Sequence, residues 1–147
     1  MVNLNIKANI LGMKVNALNI HDAVNVIINW AMENCSGRTV CVSNVHMCME
    51  VMDHRDYRFV VNTSDMVVAD GKPIHIAQRL LGFADAGQVR GMDLTLLLCR
   101  EAAAQGVAVG FYGSEDSVLI DMVNNLNLQL PSLQISYAFS PPFRELS

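Results

Sequence analysis

Polar and apolar positions alternate around Gly12 in residues 10–18, a period of two that predicts short extended structure or a hairpin. The period then changes. Apolar side chains at 23, 24, 27, 28, 30 and 31 predict a helix over 22–34, with Asp22 in a first turn where its charge suits the helix dipole. Thr-Val-Cys-Val-Ser at 39–43 is a β-branched run suited to a buried strand, and helical spacing resumes over 45–53 and 56–62. Met-Val-Val-Ala at 66–69 predicts a second buried strand ending at Asp70-Gly71. Pro73 stands where a helix opens, because its missing N–H costs nothing in a first turn, and Gly82 closes that helix after Leu81. A long helix is predicted over 93–105, a strand over 107–112, a helix over 115–129 that Ser114 can cap, and a last strand over 133–139. Strands alternating with helices imply crossover connections. The expected fold is therefore α/β and Rossmann-like, one domain over 1–147 with a mainly parallel sheet and helices on both faces.

Composition narrows the function classes. Of 147 residues, 52% are apolar and 16% charged, enough to fill a core and too few charges for a disordered chain. Ten basic against fourteen acidic residues give a net charge of −4, which argues against a nucleic-acid binder needing a basic face. No apolar stretch reaches the roughly eighteen residues of a membrane span, and no basic segment followed by an apolar one marks a secretory signal. A cytoplasmic location is expected, with contact at the inner membrane surface left open. Cys35, Cys41, Cys48 and Cys99 show no CxxC pair, and buried, reduced thiols are the expectation. The chain ends shortly after a strand, in Ser-Pro-Pro-Phe-Arg-Glu-Leu-Ser at 140–147, where a crossover helix would begin. The expectation is a fold cut short at its C-terminal side, with an uncovered apolar face that favours self-association into a homo-oligomer.

In open parallel sheets ligands bind at the carboxyl ends of strands. Three such ends carry polar residues: Ser43-Asn44, Asp70-Gly71 and Gly113-Ser114. Asp70 follows four apolar residues and precedes a helix, a position from which a carboxylate can take a proton from a hydroxyl. The same Asp-Gly pair serves equally as a turn whose aspartate caps the helix opened by Pro73. Ser43 and Asn44 suit hydrogen bonds to a sugar, or a helix N-cap. Arg90 has the planar fork for a phosphate, carboxylate or sugar, or is a solvated loop residue. Gly-Phe-Tyr-Gly-Ser at 110–114 is a glycine-rich corner able to face a phosphate, although Glu115 and Asp116 oppose an anion there. His21, His46, His54 and His75 form no metal-ligand spacing, no G-x-S-x-G elbow is present, and the dinucleotide fingerprint is missing. A metal site, a hydrolase triad and a nicotinamide oxidoreductase are thereby disfavoured.

Seven segments in order resemble the WecG/TagA/CpsF glycosyltransferases: Val-Ser-Asn-Val-His-Met at 42–47, His-Arg-Asp-Tyr-Arg-Phe at 54–59, Asn-Thr-Ser-Asp-Met-Val-Val-Ala-Asp-Gly at 62–71, Arg-Leu-Leu-Gly at 79–82, Val-Arg-Gly-Met-Asp-Leu at 89–94, Phe-Tyr-Gly-Ser at 111–114 and Ser-Pro-Pro-Phe-Arg at 140–144. The resemblance implies a bacterial enzyme that transfers a sugar, with inversion and without a metal or other cofactor. Its donor would be a UDP-sugar such as UDP-N-acetylmannosamine and its acceptor a polyprenyl-diphosphate-linked sugar. The products would serve wall teichoic acid, enterobacterial common antigen or exopolysaccharide. It implies that Asp70 is the base, that Ser43, Asn44 and Arg90 hold substrate, and that Gly113 and Ser114 lie by the nucleotide. The family's asparagine usually falls one position later, where this chain has Val45. Family members also continue past the Pro-Pro-Phe-Arg loop, so this polypeptide alone is expected to transfer sugar slowly or not at all. A non-catalytic nucleotide- or sugar-binding module of the same shape is the alternative.

Overall fold

The computed structural model describes residues 2–33 and 37–142, which form two compact units, 1–95 and 96–147. Cys35 and the Phe143-Arg144 end of the last motif lie outside the described residues.

The first unit opens with an antiparallel hairpin of β1 (Lys7–Ile10) and β2 (Met13–Asn16), in which Ile10 pairs with Met13 across a two-residue loop. Leu11 and Gly12 both have positive φ, 49° and 93°, the backbone that lets such a tight turn follow the strand twist. Asn9 Oδ1 accepts the Gly12 N–H at 2.9 Å. Helix α1 (Ile20–Met32) starts two residues earlier than its apolar spacing predicts. Asn19 is its N-cap, accepting from the His21 and Asp22 amides, and Asp22 reaches back to the Asn19 amide to complete a capping box.

β3 (Val40–Ser43) and β4 (Met66–Ala69) pair in parallel, Val40 with Met66 through Ser43 with Ala69. Between them run α2 (Val45–Asp53) and α3 (Arg55–Thr63), and β4 leads into α4 (Lys72–Leu80). All four residues of β4 are buried, as its unbroken apolar run requires. The core joins Ala8, Ile10, Met13 and Val15 of the hairpin to Cys48 and Val51 of α2, Val61 of α3, Val67 and Ala69 of β4, and Ile74 of α4. β2 meets β4 through a side chain: buried Asn16 accepts the Val67 N–H at 2.8 Å and donates to the Leu4 carbonyl at 2.8 Å. Gln78 Nε2 donates to the Asn16 carbonyl at 3.0 Å. Further along the same edge of β4 the Val89 N–H reaches the Ala69 carbonyl at 2.7 Å.

Helix α5 (Gly91–Gln105) opens in the first unit and continues into the second. There β5 (Val109–Tyr112) and β6 (Ile135–Phe139) pair in parallel around α6 (Asp116–Gln129), with a register shift between Val109 and Gly110. The N-cap of α6 is Glu115, which makes no side-chain cap. Ser114, expected in that role, has φ of 67°, whereas an N-cap needs extended backbone.

The chain is thus mixed α/β, with six helices and six strands among the described residues. The single, mainly parallel sheet expected from the alternation is replaced, among those residues, by three two-stranded sheets, one of them antiparallel. The reason is physical: hydrophobic runs specify which segments are strands, but pairing between distant strands is decided by contacts no local pattern encodes.

Candidate functional site

The carboxyl ends of β3 and β4 meet by construction. Their parallel register places Ser43 beside Ala69, and the Asp70 N–H continues the ladder to the Ser43 carbonyl at 2.9 Å. Each chain then turns into a helix. Asn44 caps α2, its Oδ1 accepting the Met47 N–H at 3.0 Å. Gly71 is the N-cap of α4, with Lys72 and Pro73 opening that helix and no side chain capping it. A Cβ on Gly71 would lie 3.7 Å from Asn44 Cα, so the two turns touch.

Asp70 is half-buried at this corner. Its Oδ1 accepts the Gly91 N–H at 2.9 Å, so its carboxylate caps the first amide of α5, not the helix opened by Pro73. Its backbone carbonyl accepts from Gln88 Nε2 at 2.6 Å. Arg90, the residue before α5, is exposed, and its Nη1 lies 3.6 Å from Asp93 Oδ2. A Cβ on Gly91 would come within 3.4 Å of Val42 Cγ1, which brings the start of α5 against β3. Three helix N-termini, those of α2, α4 and α5, therefore open on one rim around Asp70.

Of the residues singled out from sequence, Ser43, Asn44, Asp70 and Arg90 belong to the first unit and cluster at this rim. Ser43 differs in kind: it is fully buried, and its hydroxyl donates to the Val68 carbonyl at 2.7 Å, beneath the rim. Gly113 and Ser114 belong to the second unit. Gly113, at φ of 117°, donates its N–H to the Phe139 carbonyl at 2.9 Å, and the Ser114 carbonyl accepts from Ser140 Oγ at 2.7 Å. The Gly113 amide is thus engaged by β6. Gln88 escaped the sequence reading, and Gly91 and Asp93, within the 89–94 segment, carry no role in it. Asp93 carried a signal, an acid three residues after Arg90 at the start of a helix. Gln88 carried none, because it meets Asp70 across eighteen residues.

Asp65 and the cysteine thiols serve the structure. Asp65 accepts from the Thr39 amide at 2.9 Å and pairs with Arg38; these bonds hold its carboxyl below the usual carboxylate range. Burial pushes the Cys48 and Cys99 thiols up, away from reactive thiolate, and Cys41 is half-buried and unpaired like them. Among the described residues no cluster of three His, Cys, Asp or Glu side chains could hold a metal, and no helix is long and apolar enough to cross a membrane.

Comparison with known proteins bears on the chain as a whole. An N-acetylglucosaminyldiphosphoundecaprenol N-acetyl-beta-D-mannosaminyltransferase from Bacillus spizizenii (strain ATCC 23059 / NRRL B-14472 / W23) is 22% identical over 105 residues. That match takes in 71% of this chain and 41% of the relative, so the chain spans about two fifths of the relative's length. The model of the glycosyl transferase WecG/TagA/CpsF family matches residues 8–147, nearly the whole sequence, and the chain belongs to that family.

Proposed function

We propose that the rim around Asp70 is the acceptor side of an inverting glycosyltransferase site. The substrates are a UDP-sugar of the N-acetylmannosamine type and a polyprenyl-diphosphate-linked sugar of bacterial cell-surface polysaccharide synthesis. The observation that carries this reading is the half-buried carboxylate of Asp70 at the carboxyl end of a buried parallel strand, between Asn44 and Arg90.

In an inverting transfer the acceptor hydroxyl attacks the anomeric carbon while UDP departs from the opposite face. Asp70 Oδ1 is occupied by Gly91, and Oδ2 takes the hydroxyl proton as the new C–O bond forms. The bond between the anomeric carbon and the diphosphate oxygen breaks, and its electron pair leaves with UDP. Asn44 at the mouth of α2 offers amide hydrogen bonds to the sugar. Arg90 meets the negative charge that develops on the leaving group. Ser43 acts from below: its bond to the Val68 carbonyl sets the end of β3, and so the place of Asn44. Gly113 and Ser114 line the nucleotide through their backbone. A Rossmann-like disposition of strand ends, helices on both faces of the sheet, and peripheral contact with the inner face of the cell membrane complete the reading.

The test, made on a version that carries the further segment found in other family members, is UDP release from UDP-N-acetylmannosamine in the presence of lipid-diphosphate-linked N-acetylglucosamine. Release that falls at least a hundredfold in Asp70→Asn while UDP-sugar binding persists supports the reading. The second reading, a non-catalytic sugar-nucleotide module, is favoured by one observation, the engagement of Asp70 as a helix cap. It predicts thermal stabilisation by UDP-sugar with no UDP released by any variant.

A further inference from the structure

Away from the rim, a hollow of about 380 Å³ opens between the hairpin and α3, lined by Lys14, Arg55, Arg58, Phe59, Asn62 and Thr63. Its shape is fixed by side chains that face inward. Asn62 ties helix to hairpin, its Oδ1 accepting the Lys14 N–H and its Nδ2 donating to the Gly12 carbonyl, both at 2.9 Å. Arg58 lies under the hairpin turn, close enough that a Cβ on Gly12 would meet its Nε at 3.4 Å. Two of its N–H groups cap the end of α2, Nε on the Val51 carbonyl at 2.9 Å and Nη2 on the Met52 carbonyl at 2.8 Å. The guanidinium is therefore held by two bonds, and among the described residues none is made by its Nη1.

The charge of this hollow is unbalanced. It has three cationic side chains and no carboxylate in its lining, and among the described residues no acid pairs with Lys14, Arg55 or Arg58. That imbalance stands out in a chain with a net charge of −4. One wall is Phe59, which is 70% exposed. Nothing in the reaction at Asp70 uses these residues.

The geometry points to a binding site for a phosphate ester in this hollow, its phosphoryl oxygens on Lys14, Arg55 and Arg58 and its esterified group against Phe59. Three cations lining one hollow match a multiply charged anion better than a single carboxylate. The space exceeds what a bare phosphate fills, and the aromatic wall suits the group that the phosphate carries. The same chemistry is offered by a soluble phosphate ester and by a phospholipid headgroup.

Titration of the full chain with phenyl phosphate, followed by backbone NMR, and co-sedimentation with vesicles of phosphatidylglycerol or phosphatidylcholine separate those sources. Both measurements are repeated on a Lys14→Gln/Arg55→Gln variant, whose altered side chains are solvent-exposed and whose fold is checked by Trp30 fluorescence. Saturable shifts at the Phe59 and Thr63 amides, weakened about tenfold or more in the variant, establish the site and a soluble ligand. No shifts with phenyl phosphate, but sedimentation with phosphatidylglycerol and not phosphatidylcholine, lost in the variant, establishes the site with a lipid headgroup. Absence of both, or a variant that behaves as the unaltered chain, overturns the proposal. Loss of the shifts in Arg90→Gln overturns it too, because the ligand then sits at the Asp70 rim.

Discussion

Replacing Asp70 by alanine and by asparagine separates two demands made on one carboxylate. Oδ1 satisfies the Gly91 N–H, an amide that an α-helix leaves without an internal partner at its first turn. Alanine removes that acceptor and also the negative charge facing the positive end of α5. The lost cap costs about 1 kcal/mol and the lost charge–dipole term about 0.5 kcal/mol, so Asp70→Ala is expected to destabilise the first unit by about 1.5 kcal/mol. Asparagine keeps an oxygen in the same place and loses only the charge, so Asp70→Asn is expected to cost about 0.5 kcal/mol. On the proposed mechanism the proton-accepting function is lost equally in both.

The assay follows from the position of the single tryptophan. Trp30 lies in α1, within the same compact unit as Asp70, so its fluorescence in a urea titration reports that unit alone. With a slope of about 1–3 kcal/mol per molar urea, the alanine variant should lose roughly 0.5–1.5 M in midpoint and the asparagine variant a third of that. UDP release is measured on the same preparations. Stability that separates the variants while transfer fails in both supports the double role. An alanine variant as stable as the unaltered chain refutes the cap, and an asparagine variant that transfers sugar at the unaltered rate refutes the base.

Three further perturbations test the frame beneath the rim. Asn16→Ala leaves the Val67 N–H buried without a partner and is expected to cost about 2–4 kcal/mol, read as a fall in the urea midpoint of the Trp30 signal. Ser43→Ala frees the Val68 carbonyl and is expected to cost about 1 kcal/mol; it should lower kcat through displacement of Asn44 more than it raises KM for UDP-sugar, and KM is the check. Asp65→Asn tests linkage: the carboxyl's pKa is lowered in the folded chain, so its stabilisation is full above the unfolded value of about 3.9 and fades as pH falls through the lower folded value. The variant should be less stable than the unaltered chain at pH 7 and converge with it in acid, as urea midpoints across pH will show.

Local grammar was legible wherever one residue type does one job. Gly12 marked the hairpin, the apolar run at 66–69 marked β4, and Asn44 carried its helix-capping chemistry openly. The start of α1 was misplaced because Asp22 is equally at home at the beginning of a first turn and at its third position; the true N-cap, Asn19, precedes the apolar stripe. Asn16 was illegible for a different reason. Alternation along β2 assigns it to solvent with Lys14, yet it is 2% exposed and stands between β2 and β4 as a bridge of hydrogen bonds. A buried asparagine satisfied by partners twelve and fifty-one residues away leaves no trace in a local pattern. The same limit applies at the site: Asp70 was visible as a carboxylate after a buried strand, whereas its service to α5 depends on a fold that returns the chain twenty-one residues later.

That return also gathers positive charge at a rim with one exposed arginine. Arg90 lies 3.6 Å from Asp93, so part of its field is already answered. The larger contribution comes from backbone. α2, α4 and α5 all begin at this corner, and each helix presents about half a positive charge at its N-terminus. Asn44 spends the first, and Asp70 spends the third. The second is not capped by any side chain, because its N-cap is Gly71, and Lys72 at its first position adds a full cation. An anionic group of the bound acceptor at the mouth of α4 would therefore meet amides that no side chain caps, next to the carboxylate proposed as the base.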